Sequence, residues 1–252
     1  MTTPTRKTRK GFTLIELLTV IAIIGILASI LIPTIGKVID TAKKTAASSN
    51  AGQIAKTYLS YSNAGSNTRN IRTTTQAGSA GGGRSNGVAK DINDVAFILA
   101  QKGGLNNAKL WFITSDDALA GSQIPNVVIQ GDTSSATEVS KDFADLTKSW
   151  AFVIGLSTNA PPSTTPVDWT YGLGHDGVWV KASPWLGTGG HMAFLDGHVQ
   201  WFEKISTESG GDSLTTYQGN PNPGSNTADY QQAINSSGGK PAQVVNADGK
   251  GT

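Results

Sequence analysis

The chain has 252 residues, with 20 Lys and Arg, 18 Asp and Glu, and no cysteine. The absence of cysteine excludes disulfides and thiolate-bound metals, so loops must be held by packing, by hydrogen bonds or by a hard cation such as calcium. We expect no cofactor unless calcium serves in this way. The nearly balanced charge gives no basic surface for nucleic acid.

A long apolar segment lies close to the amino terminus. Residues 12–32 contain a single ionisable side chain, Glu16. As a helix rising about 1.5 Å per residue, they reach roughly 30 Å, the thickness of a hydrocarbon core. Residues 1–10 contain no acid and four basic side chains: Arg6, Lys7, Arg9 and Lys10. Because basic flanks stay in the cytoplasm, the segment predicts a single membrane span with the rest of the chain outside.

A secretory signal peptide also combines a basic start with an apolar core. The apolar run here is longer than the roughly 7–15 residues usual for such a core. Pro33-Thr34-Ile35 follows it where a cleavage site between small residues would be expected. An uncleaved signal anchor is the remaining alternative.

Glu16 needs a specific explanation. A carboxylate within a membrane span costs on the order of 2.5–3.5 kcal/mol and marks a function by default. No Lys, Arg or His lies within residues 12–32 to pair with it. Cleavage between Gly11 and Phe12 would create an α-amino group four residues away, which could pair with the carboxylate of a neighbouring molecule.

The sequence Lys-Gly-Phe-Thr-Leu-Ile-Glu-Leu-Leu at 10–18, with the apolar run and Pro33 after it, resembles the prepilin signature of type IV pilins and type II secretion pseudopilins. The resemblance implies that a prepilin peptidase removes a leader, residues 1–11, after Gly11 and that Phe12 is N-methylated. It further implies that Glu16 aligns subunits during assembly. The implied partners are the peptidase, other copies of the chain and related pilins. The implied location is the inner membrane, then a pilus or periplasmic pseudopilus.

Apolar residues continue at three- and four-residue steps from Ile35 to Tyr61, with lysines between them. This pattern predicts that residues 33–62 form an amphipathic continuation of one long helix. Pro33 should kink that helix, because its ring removes a hydrogen bond and crowds the preceding turn.

The rest of the chain predicts a small α+β head with an antiparallel sheet, the pilin-like arrangement. Residues 63–87 form a Gly- and Ser-rich loop, 88–205 the head, and 206–252 a polar, Gly- and Asn-rich tail that we expect to be mobile or to lie along the surface. Asp91 to Lys102 predicts a helix with Asp91 as its N-cap. Asn159 to Pro166 predicts a loop. Apolar runs predict short strands at 110–113, 127–129, 150–156, 169–173 and 178–180.

A hairpin is indicated around Asp196-Gly197. A two-residue turn there would pair Leu195 with His198 and Phe194 with Val199. Four side chains would then share the core face: Met192, Phe194, Val199 and Trp201. The hairpin also resembles the Phe-x-Asp-Gly-His-Val motif found near the carboxyl terminus of many prepilin-type proteins.

We found no convincing chemical site. His191 and His198 would lie about 10 Å apart on one face of this hairpin, too far to share an ion, although His175 could approach either. No hydrolase motif occurs, so we expect neither a catalytic residue nor a metal site. Five aromatic residues could form a sugar-binding face but are better explained as core: Trp169, Tyr171, Trp179, Trp185 and Trp201.

These observations favour a structural filament subunit over two other classes. The first alternative is a membrane-anchored binding protein, for example for polysaccharide, that does not polymerise. The second is a tethered hydrolase, for which the sequence holds no positive evidence.

Overall fold

The structure is a computed structural model that describes residues 12–64, 70–78, 83–209, 211–217, 224–234 and 241–246. The leader, including Gly11, lies outside the described residues. The chain separates into two compact units, residues 1–44 and 45–252.

The predicted long helix is confirmed as α1, Leu14–Asn63. Its first part, to Lys44, belongs to the first unit, and the part from Thr45 onward belongs to the second. The helix is continuous through position 33. A kink at Pro33 stays a prediction.

The other α-helices and the strands of the described residues all lie in the second unit. In chain order these are β1 (Arg72–Thr73), α2 (Thr74–Ala77), β2 (Val88–Ala89), α3 (Ile92–Gly103), α4 (Lys141–Ala144), β3 (Trp150–Ile154), β4 (Pro166–Thr170), β5 (Gly190–Phe194), β6 (Val199–Phe202), β7 (Leu214–Thr215), β8 (Asn226–Thr227), α5 (Tyr230–Ile234) and β9 (Gln243–Val245).

The main sheet has five strands in the order β6-β5-β4-β3-β9, and all its neighbours are antiparallel. Two small pairs lie outside it, β1 with β2 in parallel and β7 with β8 in antiparallel orientation. A long amino-terminal helix followed by a small antiparallel sheet is the α+β, pilin-like arrangement that the sequence predicted.

The second part of α1 packs on one face of this sheet. The Tyr58 ring meets the Phe152 ring edge-on, with centroids 5.5 Å apart. A Cβ atom at Gly52 would lie only 3.2 Å from Val199 Cγ2. Small buried residues such as Ala51 and Ala55 line the same helix. Because they carry little bulk, the helix can approach the strands closely.

Helix α3 matches its prediction. The Asp91 side chain accepts a hydrogen bond from the Asp94 backbone N–H at 2.8 Å, which makes Asp91 the expected N-cap. Gly104 follows the helix in the left-handed conformation, with φ +77°.

Three of the predicted strands are wrong. Residues 108–111 form a 3-10 turn, because the Asn107 side chain caps it by accepting from the Lys109 N–H. Residues 127–129 and 178–180 contribute only isolated bridges. Short apolar runs do not by themselves distinguish strands from other buried segments. Strand β4 begins at Pro166, inside the expected loop, since the first residue of a strand tolerates proline.

The described parts of the expected loop and tail are more ordered than their composition indicates. Ile71 is fully buried, and Thr73 forms a capping box with Gln76 at the start of α2. Strand β9 pairs with β3 and completes the main sheet. The head therefore includes residues on both sides of the expected boundaries at 88 and 205.

The hairpin forms, but its predicted register is wrong. The Phe194 N–H donates to the His198 carbonyl at 3.0 Å, so the loop between these two residues has three residues, Leu195 to Gly197. Gly197 adopts φ +85°, the left-handed position that such a loop requires. The register therefore shifts by one residue. His191 pairs with Trp201 and Ala193 with Val199, so Val199 and Trp201 lie on the opposite face from Met192.

Candidate functional site

The start of α1 is closed by a capping box between Thr13 and Glu16. The Glu16 N–H donates to Thr13 Oγ1 at 3.4 Å, and Glu16 Oε2 accepts from the Thr13 backbone N–H at 2.8 Å. Oε2 also accepts from the Thr13 hydroxyl at 2.6 Å. The Thr13 hydroxyl and the Glu16 carboxylate thus each accept from a backbone N–H that the first helical turn leaves unpaired.

Sequence reasoning missed this contact, although its signal is present. Thr13-Leu14-Ile15-Glu16 is the Thr-x-x-Glu pattern of a capping box directly before an apolar run. Within one molecule, the carboxylate therefore holds the first turn of the helix together. This intramolecular role is compatible with a second role between molecules.

The other hydroxyls of the apolar segment are also satisfied locally. Thr19, Ser29 and Thr34 each donate to the carbonyl three residues earlier, at 2.7–3.0 Å. In a medium without water, a polar side chain needs such a partner. The segment can therefore enter a bilayer without unpaired hydroxyls.

The apolar side chains of this segment are exposed in the isolated chain. Between Phe12 and Ile39, the large apolar residues keep 47–86% of their surface accessible. By length and composition α1 can cross a membrane. The exposed apolar stretch also continues past Ile32, the end of the expected span, to Ile39. Such a surface must be covered by lipid or by protein.

The predicted site residues fall on one short stretch. Phe12 is 76% exposed, and Glu16 follows it within the first turn of α1. Gly11, the residue before the expected cleavage point, lies outside the described residues. The roles of Gly11, Phe12 and Glu16 stay predictions.

The three histidines have separate surroundings. His175 Nδ1 lies 3.1 Å from Asp229 Oδ1, and its ring stacks on Tyr230. His198 stacks on Phe194. His191 is buried, with its ring edge-on to Trp185 and Trp201. In the part of the chain that the structure describes, no three His, Asp or Glu side chains are arranged to hold a metal ion.

The Asp-Gly-His motif has a structural explanation. Asp196 Oδ1 accepts hydrogen bonds from the His198 backbone N–H at 3.0 Å and lies 2.5 Å from the His198 ring nitrogen Nδ1. Burial raises the pKa of Asp196, but these contacts with His198 outweigh it and leave that pKa below its usual value. The carboxylate thereby fixes the hairpin turn.

The aromatic residues fit the core interpretation better than a sugar-binding face. Trp169, Trp179 and Trp185 are buried. The Trp179 indole N–H donates to the Thr170 carbonyl at 2.9 Å inside the protein. Tyr171 and Trp201 are partly accessible.

Comparison with known proteins identifies the amino-terminal segment. Residues 6–32 match a family model described as the prokaryotic N-terminal methylation motif. No curated protein and no solved structure matches the chain. The chain therefore carries a prepilin-type motif of the kind found in type IV pilins and pseudopilins, at the start of a helix able to cross a membrane.

Proposed function

We propose that this chain is a structural subunit of a type IV pilus or a type II secretion pseudopilus. A prepilin peptidase cleaves it after Gly11, and Phe12 is then N-methylated. The mature subunit waits in the inner membrane with its head outside the cytoplasm, and it assembles through its apolar helix with other copies and related pilins. Its work is structural and not catalytic.

The observation that carries this proposal is the position of the motif residues relative to the start of α1. The methylation motif covers residues 6–32, and within it Phe12 and Glu16 lie at the start of α1, whose apolar side chains are exposed. A plain membrane anchor needs the apolar length but has no use for an acid at this point.

The capping box supports a specific role for Glu16. Glu16 Oε2 receives two hydrogen bonds from Thr13, which leaves its other carboxylate oxygen available. After cleavage, the new amino group of a neighbouring subunit can pair with that carboxylate. The pairing is favoured because a charge-assisted hydrogen bond is stronger where water is excluded.

The direct test is the intact mass and amino-terminal residue of the full chain purified from its native membrane fraction. We expect a chain lacking residues 1–11 and carrying one methyl group on Phe12. The matched control is Gly11→Val, which should retain the leader because the residue before the cleaved bond is altered. A wild-type chain that begins at Met1, or that is cut beyond Ala28, would contradict the proposal.

A further inference from the structure

Asp168 is an unusual residue in the centre of the main sheet. It lies on β4 and is fully buried. Neither of its carboxylate oxygens has a hydrogen-bond partner among the described residues. Buried carboxylates are ordinarily paired, because an unpaired charge loses its hydration without compensation.

The strand register places Asp168 on the face that α1 covers. Asp168 is opposite Phe152 on β3 and opposite Ala193 on β5, and directly paired residues share a face. Phe152 contacts Tyr58 of α1. On the far side of Ala193, Val199 lies against Gly52 of the same helix. Asp168 therefore lies between the sheet and the second part of α1.

The side chains that share this face offer no cation in contact with Asp168. Those of β3, β6 and β9 are uncharged: Trp150, Phe152, Ile154, Val199, Trp201, Gln243 and Val245. The titratable groups are His191, two residues from Ala193 along β5, and Tyr58 on α1. The Lys56 side chain lies at Gly197 in the hairpin turn.

Burial therefore controls the charge of Asp168. It raises the pKa of this carboxyl well above its usual value near 3.8. Burial raises the pKa of Tyr58 as well, so the tyrosine stays neutral. Burial beneath the helix therefore favours the neutral form of Asp168 over the ionised form.

We propose that packing of α1 residues 45–63 on the sheet is coupled to protonation of Asp168. The neutral acid can be buried between the helix and the sheet, whereas the ionised form destabilises their packing. The stability of this interface therefore depends on pH. The proposal concerns the interior of the head and does not depend on the proposed filament function.

The sign of the coupling follows from linkage. Because the folded chain holds this proton when the unfolded chain has lost it, the contribution of Asp168 to stability is complete below about pH 4. It is lost as the pH rises toward the folded-state value. Over that range, one such proton increases the unfolding constant up to about tenfold per pH unit.

The experiment is urea unfolding of the full chain in detergent micelles between about pH 4.5 and about pH 6.5. The wild type is compared with Asp168→Asn, with His191→Gln, and with Asp142→Asn as a matched change at an exposed position. We expect Asp168→Asn to remove an increase of the unfolding constant with pH that the other two variants retain. Hydrogen exchange, corrected for intrinsic rates, should show residues 45–63 losing protection as the pH rises in the wild type and in the two control variants, but not in Asp168→Asn.

Either of two results would overturn the proposal. One is an unchanged pH dependence in Asp168→Asn; the other is a dependence that disappears in His191→Gln and survives in Asp168→Asn. If Asp168→Asn does not fold, infrared spectra of the wild type decide the matter. They must show the carbonyl band of an un-ionised carboxylic acid at about pH 6, and its absence would refute the proposal.

Discussion

At the residue scale, Lys148 is a buried amine whose hydrogen-bond partners are backbone carbonyls. Its Nζ donates to the carbonyls of Phe143, of Ala144 at 3.2 Å and of Leu146 at 2.7 Å. It also lies 4.3 Å from the centre of the Phe143 ring. The amine thus donates hydrogen bonds to carbonyls at and just after the end of α4. A four-residue helix has no internal donors for these carbonyls. Burial lowers its pKa to about 7, against the opposing charges of Asp91 and Asp145.

We predict that Lys148→Met lowers the free energy of unfolding by about 2–3 kcal/mol, because the carbonyls of Phe143, Ala144 and Leu146 each lose a hydrogen bond from the amine. The wild type should gain stability as the pH rises from about 7 to about 10.5, since only the unfolded chain holds the proton throughout that window. That gain should vanish in the variant. Urea unfolding across this range measures both effects. The control is Lys141→Met, at an exposed position of α4. A variant as stable as the control would contradict the capping role.

At the element scale, the hairpin β5–β6 depends on one glycine. Gly197 has φ +85°, and a Cβ atom there would lie 2.6 Å from Lys56 Cγ on α1. The position therefore combines a conformation unfavourable to other residues with a close approach to the helix. Gly121 offers a clean comparison, because it has φ +76° and nothing within 4 Å of its Cβ position.

We predict that Gly121→Ala costs about 1 kcal/mol from the backbone conformation alone and that Gly197→Ala costs about 1–2 kcal/mol more. The excess arises because the Lys56 side chain must move away from the hairpin. Urea unfolding midpoints of the two variants measure the difference. Equal losses of stability in the two variants would show that the Gly197 position does not closely approach Lys56 of α1.

At the scale of the whole molecule, the main feature is the exposed apolar surface of the first unit. Among the described residues, the large apolar side chains from Phe12 to Ile39 are exposed. Lipid can cover residues 12–32, and packing against other subunits can cover them after assembly. The second unit holds a continuous core that joins the later part of α1 to α3 and the sheet.

The prediction at this scale separates the helix-capping contacts of Glu16 from its proposed role in assembly. Glu16→Gln keeps an oxygen that can accept the capping hydrogen bonds, but it removes the charge that would attract a neighbouring amino group. Thr13→Val keeps the charge and removes the hydroxyl that caps the helix. We expect Glu16→Gln to abolish filaments, and Thr13→Val to assemble with a reduced yield. Filament assembly is measured in cells by electron microscopy of sheared material.

A matched measurement keeps this test informative. Both variants should accumulate in the membrane fraction with a folded head, shown by a protease-resistant fragment that contains strands β3 to β6. Filaments from Glu16→Gln in wild-type amounts would show that the acid serves the helix cap alone.

The sequence by itself determined the features that depend on neighbouring residues. The apolar length of α1, the Asp91 cap of α3 and the existence of a turn at Asp196-Gly197 all follow from local patterns. The Thr13-Glu16 box is equally local and could have been predicted. These signals suffice because caps, turns and helical periodicity each involve contacts within a few residues.

Only the tertiary structure decided which distant segments meet. It moved the hairpin register by one residue, paired β9 from the polar tail with β3, and enclosed Asp168 with no hydrogen-bond partner among the described residues. Residues 108–111 form a 3-10 helix although the apolar run at 110–113 predicted a strand. The physical reason is that strand pairing and burial depend on competition among all segments for one sheet. The residues of a single segment therefore do not determine which partner it pairs with.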